Sequence, residues 1–187
     1  MPDWNEVYAA KGVADSSPAE VLKNNLHLLV GSGEALDYAC GMAGNARLLA
    51  ESGYSVTAWD GSDVAVQKIN KFSQSEGLNI HAENIDLEDS NLDFSRSFDV
   101  IVVSYFLYRD RLRDLYELLN QGGLLFYQTF SGEQLNGVGP SREVFRLRRG
   151  ELLEVFSDMQ LIYYREDIPV ASSSTCVPDQ VSFVAKK

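Results

Sequence analysis

Three carboxylates and a small-residue turn carry the chemistry in this sequence. Asp37 ends the apolar run "EALD", Asp60 ends "SVTAWD", and Asp86 ends "NIHAENID". Between the first two lies the turn "ACGMAGN". There Gly41 can take a positive φ and, with no side chain, lets a ligand approach the main chain. Gly44 is expected to let the next helix begin close to that ligand, and the unpaired N–H groups of a helix start favour an anionic group. A carboxylate at Asp60 can accept both hydroxyl hydrogens of a ribose, the use that doubly wound folds make of such an acid. Capping the next helix is the alternative, but Ser62 and Asp63 are already available for that. Asp86 is placed to flank an adenine and accept from its exocyclic amine. An exposed loop aspartate, among Glu88, Asp89 and Asp93, is the other reading.

The turn also discriminates between cofactors. A dinucleotide fingerprint needs G-x-G-x-x-G, whereas this turn reads Gly41-Met42-Ala43-Gly44-Asn45-Ala46 and lacks the glycine that lets backbone approach a pyrophosphate. Asp37 just before it would face phosphates unfavourably. An acid there suits a cationic ligand bearing an ammonium and a sulfonium, which is S-adenosylmethionine.

The elements that must hold these groups alternate between strand and helix. Residues 16–31 read as a helix, with Ser17 as cap and Pro18 in the first turn. "EALDYAC" is strand one, Asn45–Ser52 a short helix stopped by Gly53, and "SVTAWD" strand two. The next helix carries Ala65, Ile69 and Phe72 at helical spacing and ends at Gly77. "NIHAENID" is strand three. "FDVIVVSYF" is strand four, a β-branched run of the kind buried on both faces of a parallel sheet. A helix with Leu112, Leu115, Tyr116 and Leu119 follows, closed by Gly122-Gly123. "LLFYQTF" is strand five. A short helix bears Leu152, Val155, Phe156 and Met159, and "LIYYRED" and "QVSFVAKK" are strands six and seven. Crossover-length helices between strands imply a doubly wound α/β fold with a seven-stranded, mostly parallel sheet. No helical pattern separates the last two strands, so the last is expected antiparallel at one edge.

The 187 residues are expected to form one domain, with 1–31 a helical segment covering the cofactor site. The composition, 45% hydrophobic and 23% charged, is that of a soluble globular protein. No apolar run reaches transmembrane length, and "MPDWNEVYAAKG" lacks signal-peptide character, so a cytoplasmic location and no membrane partner are expected. Cys40 and Cys176 are too few for a disulfide framework or a zinc cluster, and no metal is expected. A formal charge of −11 argues against nucleic acid as partner. The oligomeric state, monomer or homodimer, stays open.

The stretch from Leu36 to Ser62 resembles the first two motifs of class I S-adenosylmethionine-dependent methyltransferases. It is most similar to the small bacterial branch related to tellurite-resistance and thiopurine-type methyltransferases, whose first motif commonly reads D-x-A-C-G-x-G-x-N-A. "WNEVYAAKG", "LLNQGGLLFYQTFS" and "GPSREVFRLRRGELLEVF" resemble further segments of that branch, so the likeness covers most of the chain. It implies that Asp37, Ala39 and Gly41 line the methionine portion of the cofactor and that Asp60 and Gly61 hold the ribose. Asp86 and Leu87 would flank the adenine and Ser104 and Tyr105 the sulfonium region, while Tyr8, with Trp4, would close over the amino-acid end. The departure is Ala43, where the family usually has glycine. Its methyl is expected either to crowd the cofactor or to be absorbed by Gly44.

Methyl transfer mainly requires alignment and exclusion of water. His27 and His81 are read as structural or surface residues. "SYFLYRD" after strand four lacks the proline motif common among enzymes that methylate amino groups of nucleic acids or proteins. Tyr105, Phe106 and Tyr108 are instead candidates for an aromatic acceptor pocket, with core packing as the alternative. Arg146, within "SREVFRLRRG", is a candidate for attracting an anionic acceptor, with a solvated surface as the alternative. The expected function is methyl transfer to a small molecule: a thiol, a chalcogen oxyanion or a small aromatic or carboxylic acid. A non-catalytic cofactor-binding protein and a nicotinamide-linked oxidoreductase are the rivals.

Overall fold

The structure, a computed structural model, describes residues 3–89, 95–132, 134, 137–166 and 179–187. Two short helices, α1 (Trp4–Ala9) and α2 (Glu20–Lys23), precede β1 (Glu34–Tyr38), α3 (Gly44–Glu51), β2 (Ser55–Asp60), α4 (Asp63–Glu76) and β3 (Ile80–Asn84). Then come β4 (Phe98–Ser104), α5 (Asp114–Glu117), β5 (Leu119–Phe130), α6 (Glu151–Val155), β6 (Gln160–Glu166) and β7 (Gln180–Lys186). The strands form one seven-stranded sheet in the order β3-β2-β1-β4-β5-β7-β6. β1 pairs in parallel with both β2 and β4, so the strand order reverses beside β1. β7 runs antiparallel to both of its neighbours, β5 and β6.

The alternation of side chains along the strands divides the core into two layers. Ala35, Val100, Val102 and Phe126 face α3 and α4, where Ala46, Leu49, Ala65 and Ile69 meet them. Leu36, Ile101, Val103, Leu125 and Tyr127 face the other side, with Leu115 of α5 and Leu152 of α6. Burial on both faces is why β4 reads as an unbroken apolar run.

Three expectations change. The helix over 16–31 is reduced to the single turn of α2 and a 3-10 turn at Leu26–Leu28. The Asn24-Asn25 pair ends α2, because the Asn25 side chain turns back to donate to the Val21 carbonyl at 2.8 Å. The helix over 112–119 is also short, since Leu119 pairs with Phe98 and belongs to β5. Gly122-Gly123, expected to close that helix, lies inside β5 where its register against β4 shifts. Gly122 has a φ of +84°, and a Cβ on Gly123 would sit 2.9 Å from the Asn120 carbonyl.

Tyr38 points into the second layer between Trp59 and Phe106, with its hydroxyl buried and lacking a hydrogen-bond partner among the described residues. An orphaned buried hydroxyl costs about 1–3 kcal/mol. Tyr38→Phe is therefore expected to leave the urea-unfolding free energy unchanged or raise it by about 1 kcal/mol; a clear loss would reveal a partner for this hydroxyl.

Candidate functional site

A cavity of about 790 Å³ opens at the carboxyl ends of β1, β2 and β4, beside the point where the strand order reverses. This is where open α/β sheets bind ligands. Ala39 and Gly41 of the turn, Asp60 at the end of β2 with Gly61 next to it, and Asp86 and Leu87 after β3 lie on its wall. Ser104 at the end of β4 with Tyr105 next to it, and Tyr8 and Trp4 from α1, lie there too. Asp37 does not reach the wall. It is fully buried beneath the turn, where its carboxylate accepts from the Ala46 amide at 2.9 Å and the Asn45 side chain at 3.1 Å.

The turn is built from backbone that side chains seldom adopt. Ala39, Gly41 and Ala43 all have left-handed φ, of 58°, 54° and 61°. The Asp60 carboxylate pins the turn from across the strand pair, accepting from the Gly41 amide at 2.8 Å and the Ser62 amide at 3.0 Å. Ser62, not Asp60, caps α4 by accepting from the Ala65 amide. Burial raises the Asp60 pKa, and the Gly41 and Ser62 amides oppose that shift. Gly41 faces Tyr8, whose hydroxyl would lie 3.2 Å from any Cβ added there. Burial, with Asp60 and Cys40 nearby, raises the pKa of the Tyr8 hydroxyl and keeps it protonated.

Ala43 is fully buried, and its methyl joins the core layer beside α3 and α4, away from the cavity wall. The methyl of Ala43 therefore does not line the cavity. A left-handed alanine costs about 1–2 kcal/mol, which burial of one methyl, worth about 0.8 kcal/mol, partly offsets. Gly44 is constrained mainly by the chain entering α2, because an added Cβ would meet the Ser17 carbonyl.

Several residues of the site carry no obvious signal in the sequence. The Asn45 amide donates to Asp37 and to the Ser104 hydroxyl at 2.9 Å, and accepts from the Ala19 amide at 2.8 Å. Its polar side chain in the turn is the only hint. Gln128 of β5, buried among apolar neighbours, accepts from the Val21 amide at 2.8 Å and donates to the Tyr105 hydroxyl at 3.0 Å. Tyr105 is half-exposed with a left-handed φ of 56°, and its own amide donates to the Gln128 carbonyl. Lys68 of α4 donates to the carbonyls of Tyr8, Ala9 and Lys11. Asn5 accepts from the Ser62 hydroxyl at 2.6 Å. These contacts fasten α1, which has no buried residue, over the turn.

Two acceptor candidates lie elsewhere. Tyr108 is half-buried ahead of the 3-10 turn at Arg109–Arg111, off the cavity wall. Arg146 is buried, its guanidinium donating to the carbonyls of Ser131, Gly132 and Pro140 and lying 3.5 Å from Asp179. It braces the loop after β5, which corrects its reading as an anion receptor. Arg148 is exposed and paired with Glu151 and Glu154. His27 and His81 are also off the wall. Cys40 lines it, its thiol pKa raised by burial, whereas Cys176 and Asp93 lie outside the described residues.

Burial raises the pKa of Asp37 to about 7, although Asn45 and the Ala46 amide oppose the shift. An aspartate in an unfolded chain titrates near pH 4. The stabilising contribution of the protonated acid is therefore complete below about pH 4 and lost as pH rises through about 7. Asp37→Asn is expected to remove that decline from the stability–pH curve of the ligand-free protein; an unchanged slope would assign the decline to other groups.

The sequence and the fold have matches among known proteins. The family described as tellurite resistance protein TehB matches residues 5–174. The probable S-adenosyl-L-methionine-dependent methyltransferase TehB of Haemophilus influenzae (strain 10810) is 29% identical over 141 residues, covering 72% of this chain and 49% of that protein. The chain thus spans about half the length of the curated relatives it matches. The crystal structure of TehB from Haemophilus influenzae superposes with a TM-score of 0.74 at 22% identity, covering 98% of this chain and 67% of that one. Coclaurine N-methyltransferase bound to N-methylheliamine and SAH gives a TM-score of 0.64 at 19% identity, over 77% of this chain and 49% of that one. Both likenesses show the fold. The family match spans most of the chain, which therefore belongs to the TehB family.

Proposed function

We propose that the chain binds S-adenosylmethionine in this cavity and transfers its methyl group to a small-molecule acceptor. The observation that carries the reading is the pairing of Asp60 with the turn. A carboxylate that ends β2 on the cavity wall holds the side-chain-free Gly41 with one oxygen and keeps lone pairs for a ribose. The buried acid beneath the turn disfavours a pyrophosphate and suits a cation. The names of the curated relatives and the SAH bound to coclaurine N-methyltransferase support the same donor.

In this reading Gly41, Ala39 and Tyr8, with Trp4 stacked 5.5 Å from the Tyr8 ring, enclose the amino-acid end of the donor. Asp37 acts from below, through its charge and its grip on α3. Asp60 and Gly61 hold the ribose, Asp86 and Leu87 flank the adenine, and Ser104 and Tyr105 bound the sulfonium region. When bound, the donor supplies an activated methyl group that an acceptor lone pair takes as the C–S electron pair leaves on sulfur. The protein aligns the two molecules and excludes water. α1, fastened by Lys68, brings Trp4 and Tyr8 to the cavity wall.

Calorimetric titration is expected to detect S-adenosylmethionine and S-adenosylhomocysteine but not NADH. No binding of either adenosyl compound at millimolar concentration would overturn the reading. Loss of a charge-assisted hydrogen bond, about 1.5–3 kcal/mol, predicts that Asp60→Ala weakens binding about 10- to 100-fold. Circular dichroism would confirm that the variant is folded, and undiminished binding would remove Asp60 from its assigned role.

A further inference from the structure

Resting on the donor assignment above, we infer that Ser104 and Tyr105 hold the methyl acceptor, as a pair of hydroxyl donors whose hydrogens two buried amides turn toward the cavity. The inference follows from which groups can only donate. A backbone N–H has no lone pair to offer, so it fixes the orientation of a side-chain amide that meets it. The Ala19 amide donates to Asn45 Oδ1 at 2.8 Å, and the Val21 amide donates to Gln128 Oε1 at 2.8 Å. The other arm of each side chain is therefore the NH2 group, which donates. Asn45 Nδ2 reaches Asp37 at 3.1 Å and the Ser104 hydroxyl at 2.9 Å. Gln128 Nε2 reaches Gln180 Oε1 at 2.9 Å and the Tyr105 hydroxyl at 3.0 Å. Both hydroxyl oxygens thus accept from the protein, and their own hydrogens must be given elsewhere. No group among the described residues takes either one.

Ser104 and Tyr105 both line the cavity, at the region assigned to the sulfonium, where the methyl group leaves its donor. Tyr105 is held at three points. Its hydroxyl meets the Gln128 side chain, its amide donates to the Gln128 carbonyl at 2.8 Å, and its ring lies tilted 5.5 Å from that of Phe130. So much fixing of a half-exposed side chain on left-handed backbone points to a use beyond packing. Two hydroxyl donors on consecutive residues suit an acceptor that carries lone pairs beyond the one that attacks the methyl carbon. Each hydroxyl holds such a lone pair and keeps its own hydrogen. An amine nitrogen has a single lone pair and uses it in the attack, so it gains nothing from this arrangement. Gln128 acts through Tyr105 and is a positioning residue. Because the Val21 amide sets its orientation, seating of α2 on the sheet also aims the Tyr105 hydroxyl.

Gln128→Glu separates aim from structure. The new carboxylate still accepts from the Val21 amide, but its second oxygen accepts from the Tyr105 hydroxyl and draws that hydrogen away from the cavity. Wild type, Gln128→Glu and Tyr105→Phe are each saturated with S-adenosylhomocysteine, checked by circular dichroism, and titrated with pyridine N-oxide or toluene. The two probes are of similar size, and only the N-oxide offers oxygen lone pairs. Both variants are expected to weaken N-oxide binding about 5- to 10-fold and to leave toluene binding unchanged. A second measurement reads the hydroxyl directly. The Tyr105 contribution to the Raman spectrum, isolated by subtracting Tyr105→Phe, should show a hydroxyl that accepts as well as donates, and a strong donor in Gln128→Glu. Equal N-oxide binding by wild type and Tyr105→Phe would overturn the inference, as would parallel loss of both probes. So would failure of the N-oxide to bind wild type at millimolar concentration, or a wild-type hydroxyl that only donates. Those results leave the cofactor assignment standing, whereas failure of S-adenosylhomocysteine to bind wild type strikes that assignment itself.

Discussion

One buried side-chain amide holds the site together. Asn45 joins the end of β1 through Asp37, the end of β4 through Ser104, and the chain entering α2 through the Ala19 amide. Both amide hydrogens and the carbonyl oxygen are engaged, which is how a polar group is accommodated at 3% exposure. The sheet supplies the floor of the cavity and the N-terminal segment its roof, and this amide sets the distance between them. Gln128 repeats the arrangement one strand further on, tying Val21 to Tyr105. The roof needs such ties because α1 buries no residue and α2 is a single turn.

Strain gathers at the same place. Ala39, Ala43 and Tyr105 are three of the four non-glycine residues with positive φ among those described, and all follow the carboxyl ends of β1 or β4. Such backbone persists where its surroundings over-determine it. Here the Cys40 amide donates to the Trp59 carbonyl, the Ala43 amide to the Cys40 carbonyl, and the Tyr105 amide to the Gln128 carbonyl. The result is a shaped cavity edge fixed by the chain's own backbone hydrogen bonds.

The sheet was legible in the sequence because burial on both faces leaves long apolar runs such as that of β4. The parallel pairing and the antiparallel β7 followed from which gaps held helical patterns. Helix lengths were less legible. The apolar spacing of 16–31 came from residues such as Val21 and Leu22 that join the core layer of α3 and α4, and Asn25 broke the helix through a local hydrogen bond that periodicity does not register. Gly122-Gly123 read as a helix stop because a glycine pair looks alike at a helix end and at a bulge. In the site, the acids and the turn stood out by type and spacing. Asn45, Gln128 and Lys68 did not, because each acts through backbone groups far away in sequence. Arg146 misled because a cluster of arginines looks the same whether it faces solvent or is folded inward on carbonyls.

The left-handed alanine at position 43 bears on how such chains are recognised. A pattern written around two glycines in this loop would pass over the sequence, although the backbone that the second glycine serves is intact here. At that position this chain keeps a left-handed φ of 61° on an alanine, so the backbone conformation survives without the glycine letter. Loop geometry read alongside glycine spacing would recover a chain of this kind, in which Ala43 turns its methyl into the core and leaves the cavity edge to Ala39 and Gly41.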